Sequence, residues 1–128
     1  MFIYSFEKLE VWNDAKEFAK SIYTITSSFP ESEKFILTSQ LRRAAISIAS
    51  NIAEGSARKS RKDQAHFTVM AFSSGIEALN QIIISFELGY ISKLEYEKIR
   101  SQIEAITNKL NALRNYQTNT STNKPLNE

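Results

Sequence analysis

Four cations fall within five residues at Arg58-Lys59-Ser60-Arg61-Lys62. A cluster of this kind can neutralise several phosphates at once. The binding it gives weakens with salt and does not read base sequence. The same composition also describes an ordinary solvated charged loop. Two further arginines, Arg42 and Arg43, extend the basic zone along the chain. Residues 42–62 hold six cations against the single Glu54, so this segment carries +5 and the rest of the chain −3, for a total of +2. A local basic zone on a slightly acidic remainder is a candidate electrostatic footprint.

Other chemistry is poorly represented. Asp63-Gln-Ala-His66 has an acid–histidine spacing of three, but His66 is the sole histidine, and a di-metal bundle needs such a motif twice. The chain has no cysteine, no glycine-rich phosphate loop and no G-x-S-x-G elbow. The reading is a non-enzymatic protein with no metal and no cofactor.

The elements that must position these residues are helical. The chain has 128 residues with three Gly and two Pro, which suits one helix-rich domain. Val11, Ala15, Phe18, Ile22, Ile25 and Phe29 repeat at helical spacing and predict a first helix over residues 6–28. Leu41, Ala45, Ile48 and Ile52 make one stripe of a second helix over residues 31–54, and Ile46, Ala49 and Ala53 make another beside it. Gly55 is expected to end this helix in a left-handed conformation. The third helix opens with the capping sequence Ser60-Arg-Lys-Asp63 and ends before Gly89. The fourth opens with Ser92-Lys-Leu-Glu95 and carries Ile99, Ile103, Ile106, Leu110 and Leu113. Short connections make sequential helices antiparallel neighbours. The prediction is all-α: an antiparallel up-down-up-down four-helix bundle over residues 6–116, with a polar tail over 117–128 that cannot build a core and is expected to be disordered.

This topology places Arg58, Lys59, Arg61 and Lys62 at one end, beside the free amides of the third helix. Arg42 and Arg43 lie far along the axis. For that pair the favoured reading is structural, with Arg43 reaching Glu77. Glu54 sits in a last turn, where the helix dipole disfavours an anion, and should be offset by Arg58, Lys59 or Arg61. Asn51, one turn earlier, is expected to cap backbone groups or to link helices. Phe72, Ile76, Leu79 and Ile83 form a second apolar stripe on the third helix, either core or an interface with a second copy. No leader segment is visible at Met1-Phe-Ile-Tyr-Ser-Phe-Glu, and the run Ile82-Ile-Ile84 is too short to span a bilayer. A soluble cytoplasmic protein is expected, with no membrane partner.

Several stretches together resemble the bacterial family of 23S rRNA intervening-sequence proteins. These are Phe6-Glu-Lys-Leu-Glu-Val-Trp12 with Ala15, Phe29-Pro30 with Glu33, and Gln40-Leu-Arg-Arg-Ala-Ala-Ile-Ser47 running into Asn51-Ile-Ala-Glu-Gly55, together with Ser74 and Glu77. The family is in turn similar to accessory proteins of diversity-generating retroelements. The resemblance implies a four-helix bundle assembled as a homopentamer, and it transfers Gln40, Arg42, Arg43, Asn51, Glu54 and Glu77 as motif positions, none of them catalytic. Ser73, Ala78 and Asn80 depart from the family pattern in the third helix. The retroelement relatives imply nucleic-acid binding, to RNA or DNA, through a basic surface. The alternative is a protein-interaction scaffold whose charges serve solubility.

Overall fold

Leu9 divides the N-terminal segment in two. Its extended backbone (φ −78°, ψ 127°) separates a short 3-10 turn at Ser5–Lys8 from α1, Glu10–Thr26. The Asn13 side-chain amide donates to the carbonyls of Glu7 and Leu9, both at 3.0 Å, and so ties the turn to the helix. The first helix therefore starts four residues later than the apolar repeat suggested, because Leu9 packs on the core as an extended residue.

A computed structural model describes residues 1–122, with side chains through Asn119. Three further long helices follow α1: α2 at Ser39–Ser56, α3 at Arg61–Glu87 and α4 at Lys93–Thr122. Between α1 and α2, where the second helix was expected to begin at residue 31, the chain instead forms a 3-10 turn at Glu31–Glu33 and a π turn at Lys34–Thr38. The wider turn buries Leu37 and Thr38 while Phe35 and Ile36 point to solvent.

One apolar stripe from each of the four helices faces a common core. Phe18, Ile22, Leu41, Ile48, Ile82, Ile99, Ile103, Ile106 and Leu110 are fully buried. Burying side chains of this size contributes about 1.5–3 kcal/mol each. Cross-helix contacts set the antiparallel order. Ser47 meets Ser74 at 2.8 Å, Thr68 donates to Gln117 at 2.8 Å, Arg42 reaches Thr26, and Lys109 pairs with Asp14. The helices run up-down-up-down, as the short connections predicted.

Glycines bring α2 close to α3 and α3 close to α4. A Cβ on Gly55 would lie 2.9 Å from Phe67 Cβ, and one on Gly75 would lie 3.1 Å from Thr107 Cγ2 on α4. Gly55 thus serves packing and not the left-handed stop expected of it. It lies inside α2, which runs on to Ser56 and closes through the Ala57 and Arg58 amides donating to Glu54 and Gly55 carbonyls. The left-handed glycine is Gly89, with φ +84°. There the Gly89 amide donates to Phe86 O and the Tyr90 amide to Ser85 O, both at 3.0 Å, which satisfies the last carbonyls of α3.

The C-terminal helix outruns its expected end at residue 116. Gln117, placed in the polar tail by composition, is buried and accepts from Thr68. Residues 123–128 lie outside the described residues. α3 is one helix long and apolar enough to cross a membrane by length and composition, which the short Ile82–Ile84 run concealed. Its apolar residues Ala71, Ala78 and Ile82 are buried within the bundle, where α3 packs against both α2 and α4.

Candidate nucleic-acid interface

The 2–3 connection is short and held locally. Ser60 caps α3: its Oγ accepts from the Asp63 amide at 3.1 Å. Gln64 donates its side-chain amide to Arg58 O at 2.9 Å, which fixes the loop backbone ahead of the helix. A cleft of about 160 Å³ lies behind the loop, lined by Leu9, Ile52, Gly55, Gln64, Leu113 and Gln117 among others. The same end of the bundle therefore gathers the N-terminal turn, the 2–3 loop and the last turns of α4.

The four expected cations are brought together here, and two are held in place by aromatic rings. The Arg58 guanidinium lies 4.5 Å from the Phe67 ring centre, and that of Arg61 lies 4.7 Å from the Tyr116 ring centre. Arg61 also donates to the Tyr116 hydroxyl at 3.3 Å. A ring beneath a guanidinium restrains it without cancelling its charge. Lys59 and Lys62 are exposed. Among the described residues, none of these four cations forms an ion pair. Carboxylates are instead paired with Lys16, Lys20, Lys34, Arg100 and Lys109. Sequence reasoning did not find Phe67 or Tyr116 as partners. Neither ring shares a helical spacing with its arginine, and Tyr116 comes from a helix 55 residues away.

Glu54 does not receive the expected partner: it is exposed and forms no ion pair among the described residues. Water screens it well enough at the surface that no cation is required. Asn51 donates to Ser47 O at 2.9 Å and to Ser47 Oγ at 3.1 Å, so it supports the Ser47–Ser74 link between α2 and α3.

Arg42 and Arg43 do not join this end. Arg42 stands in the first turns of α2, where Nε donates to Thr26 Oγ1 at 2.8 Å and Nη2 to Tyr23 O at 3.3 Å. Its guanidinium also lies 4.4 Å from the Tyr23 ring centre. Arg42 is a clasp between α1 and α2, not a free surface cation. Arg43 is exposed and, among the described residues, makes no ion pair with Glu77. Glu77 instead accepts from Gln81 at 3.4 Å, and Gln40 is exposed.

The second apolar stripe of α3 divides. Phe72 and Leu79 are half-buried against the core, and Ile83 is half-buried. Ile76 is 46% exposed, with Val69 and Met70 on α3 and Ile46 on α2 also exposed.

No group of three or more His, Asp or Glu side chains converges among the described residues. The shifted titrating groups lie away from the basic end. A hydrogen bond to Asp14 raises the Lys109 ammonium above its ordinary value, one to Glu33 raises Tyr90, and one to Tyr96 raises Arg100. Each is a structural link between or along helices.

None of the curated proteins matches the chain. Among solved structures, the chain is similar to a protein of unknown function from the S23 ribosomal protein family of Bacteroides thetaiotaomicron VPI-5482. The two share 25% identity with a TM-score of 0.76, covering 81% of this chain and 97% of that one. A family model described as 23S rRNA-intervening sequence protein matches residues 7–112. With the bundle, the Gln40–Gly55 block and this match in agreement, the chain belongs to the 23S rRNA-intervening sequence protein family.

Proposed function

We propose that this protein is a non-enzymatic, cytoplasmic nucleic-acid binder, and that Arg58, Lys59, Arg61 and Lys62 are its phosphate-contacting residues. One observation carries the reading. These four cations share one end of the bundle and have no carboxylate partner among the described residues, whereas the ion-paired cations lie elsewhere. Unpaired cations beside a helix N-terminus present an anion with both formal charge and free amides. Ligand phosphates then displace counterions and not protein acids, so each contact contributes fully to the salt dependence. The family takes its name from intervening sequences of 23S rRNA, which accords with an RNA ligand, and DNA offers the same phosphates.

Self-association multiplies such a site. The exposed Ile46, Val69, Met70 and Ile76 give α2 and α3 an outer apolar face suited to a second copy, with a homopentamer as the assembly expected from the resemblance. Each copy repeats the basic end, and weak sites then add by avidity. A scaffold for another protein is the competing reading, and the same exposed face is the observation that favours it.

The test is binding of labelled structured RNA and single-stranded DNA across a salt series. Wild type is compared with a variant in which Arg58, Lys59, Arg61 and Lys62 are each replaced by Glu, after light scattering shows equal mass. The expected result is steeply salt-dependent binding by wild type, with a slope near −0.7 per phosphate on single strands, and loss of binding in the variant. Absence of wild-type binding near physiological salt overturns the reading and leaves the scaffold.

A further inference from the structure

The cleft behind the 2–3 loop is small, and its walls are of two kinds. Leu9, Ile52 and Leu113 give it an apolar side, while Gln64 and Gln117 give it a polar one. Its volume of about 160 Å³ lies below the range that takes a drug-sized molecule and suits a single ring system. Each glutamine there is half used. Gln117 is only 8% exposed and its oxygen accepts from Thr68, but its NH2 group has no partner among the described residues and is not sealed from solvent. Gln64 is used the other way: its NH2 group donates to Arg58 O, and its oxygen has no partner among the described residues. The two side chains therefore leave one donor and one acceptor on the polar wall of the cleft.

The cleft is also contiguous with the basic loop. Gln64 holds the Arg58 carbonyl, and Gln117 directly follows Tyr116, over which Arg61 lies. A phosphate held at this corner brings its own sugar and base to the cleft mouth. A paired base stays stacked inside its duplex, whereas a base in a bulge or loop can be splayed out and hydrogen-bonded along its edge. Every such edge carries both a donor and an acceptor, and a flat ring suits a slot walled by leucine and isoleucine. Resting on the nucleic-acid reading above, we infer that the cleft takes one unpaired base of a bound strand, its edge bonded by the Gln117 NH2 group and the Gln64 side-chain oxygen.

The test uses three labelled RNA hairpins: one with a single bulged cytidine, one with an abasic residue at the bulge, and one fully paired. The proteins are wild type and two variants. Ser56→Leu puts bulk into the cleft, which Ser56 lines. Gln117→Glu keeps an oxygen for Thr68 and removes the NH2 donor. Neither alters a cation. Wild type is expected to prefer the bulged cytidine over the abasic bulge by at least about fivefold, the discrimination of one well-placed hydrogen-bonding pair. Both variants are expected to lose that ratio. The added charge of Gln117→Glu cancels in it, because the two bulged probes carry the same phosphates. Ser56→Leu is expected to bind the fully paired hairpin as wild type does, with the basic corner intact. Equal wild-type affinity for base-bearing and abasic bulges overturns the cleft inference and leaves phosphate binding standing. Absence of wild-type binding to any hairpin overturns both. A preference retained in either variant also overturns the cleft inference. A free nucleoside monophosphate that competes at the hairpin's own affinity overturns the assignment to a strand.

Discussion

The two ends of this bundle use the same device in different surroundings. At the end formed by the 1–2 and 3–4 connections, Arg42 lies over Tyr23 and donates to Thr26. At the opposite end, Arg58 lies over Phe67 and Arg61 over Tyr116. Three guanidinium–ring contacts of nearly equal length thus differ in what surrounds them. Thr26 is buried, so Arg42 satisfies a polar group of the core while crossing from one helix to another. Tyr90 strengthens that end by donating to Glu33 at 3.0 Å and packing on Phe29. Arg58 and Arg61 make no such interior bond. Whether an arginine here ties helices together through the core is decided by its hydrogen-bond partner, not by the ring beneath it.

Substitutions made in pairs, one at each end, test that contrast. The largest effect is expected from charge. Reversing the four cations of the 2–3 end should abolish nucleic-acid binding, whereas Lys34→Glu with Lys93→Glu and Lys98→Glu at the far end should leave affinity within about threefold, because exposed charges beyond a Debye length are screened. Equal losses from both sets, in the same titration, would break the contrast.

Glycine gives the second pair. Gly55→Ala forces Phe67 aside and is expected to lower stability by about 1–3 kcal/mol by overpacking. It should also weaken binding, because Arg58 rests on that ring. Gly89→Ala faces open space but a left-handed backbone, and should lower stability by about 1–2 kcal/mol with binding unchanged. Denaturant melts alongside titrations separate the two.

Arginine gives the third pair. Arg42→Ala removes the donor to Thr26 Oγ1 and one of the donors to the Tyr23 carbonyl, and should cost about 1 kcal/mol with no change in binding. Arg58→Ala should leave stability within about 0.5 kcal/mol but reduce the salt slope by nearly one on duplex probes. A stability loss for Arg58→Ala matching that of Arg42→Ala would erase the distinction.

The smallest effect is confined to high pH. Glu33 raises the Tyr90 phenol above its ordinary value near 10. A group raised by folding supports the fold below its unfolded value and loses that support as pH rises through the folded one. A slight alkaline loss of stability, above about pH 10, is expected in wild type and should be diminished in Tyr90→Phe. An identical alkaline profile in the two proteins would remove Tyr90 from the far-end clasp.

The architecture was largely legible because burial and helical period coincide. Val11, Ala15, Phe18, Ile22 and Ile25 are all buried, as are Ile99, Ile103, Ile106 and Leu110. The interruptions were not. Nothing in Lys34–Thr38 forbids an α-helix, and the π turn follows from fitting Leu37 into the core. The end of α4 was missed for a related reason: a polar composition cannot announce that Gln117 finds Thr68 across the bundle. At the candidate site, the cations were visible as a cluster. Their distinction from Arg42 was not, since a side chain's partner lies in the third dimension.

The hydroxyl pair of Ser47 and Ser74 carries one last consequence. It sits among small residues in the middle of the α2–α3 seam, one turn from Ala71 and from Ala78 on α3. Smooth seams let helices slide past each other, the shear motion by which packed elements shift. A slip of one turn would set Ser47 against an alanine methyl and leave both hydroxyls and the Asn51 amide to find new partners. The pair therefore acts as a detent on sliding, and the loop that α2 and α3 hold between them inherits a fixed phase from a contact near the middle of the bundle.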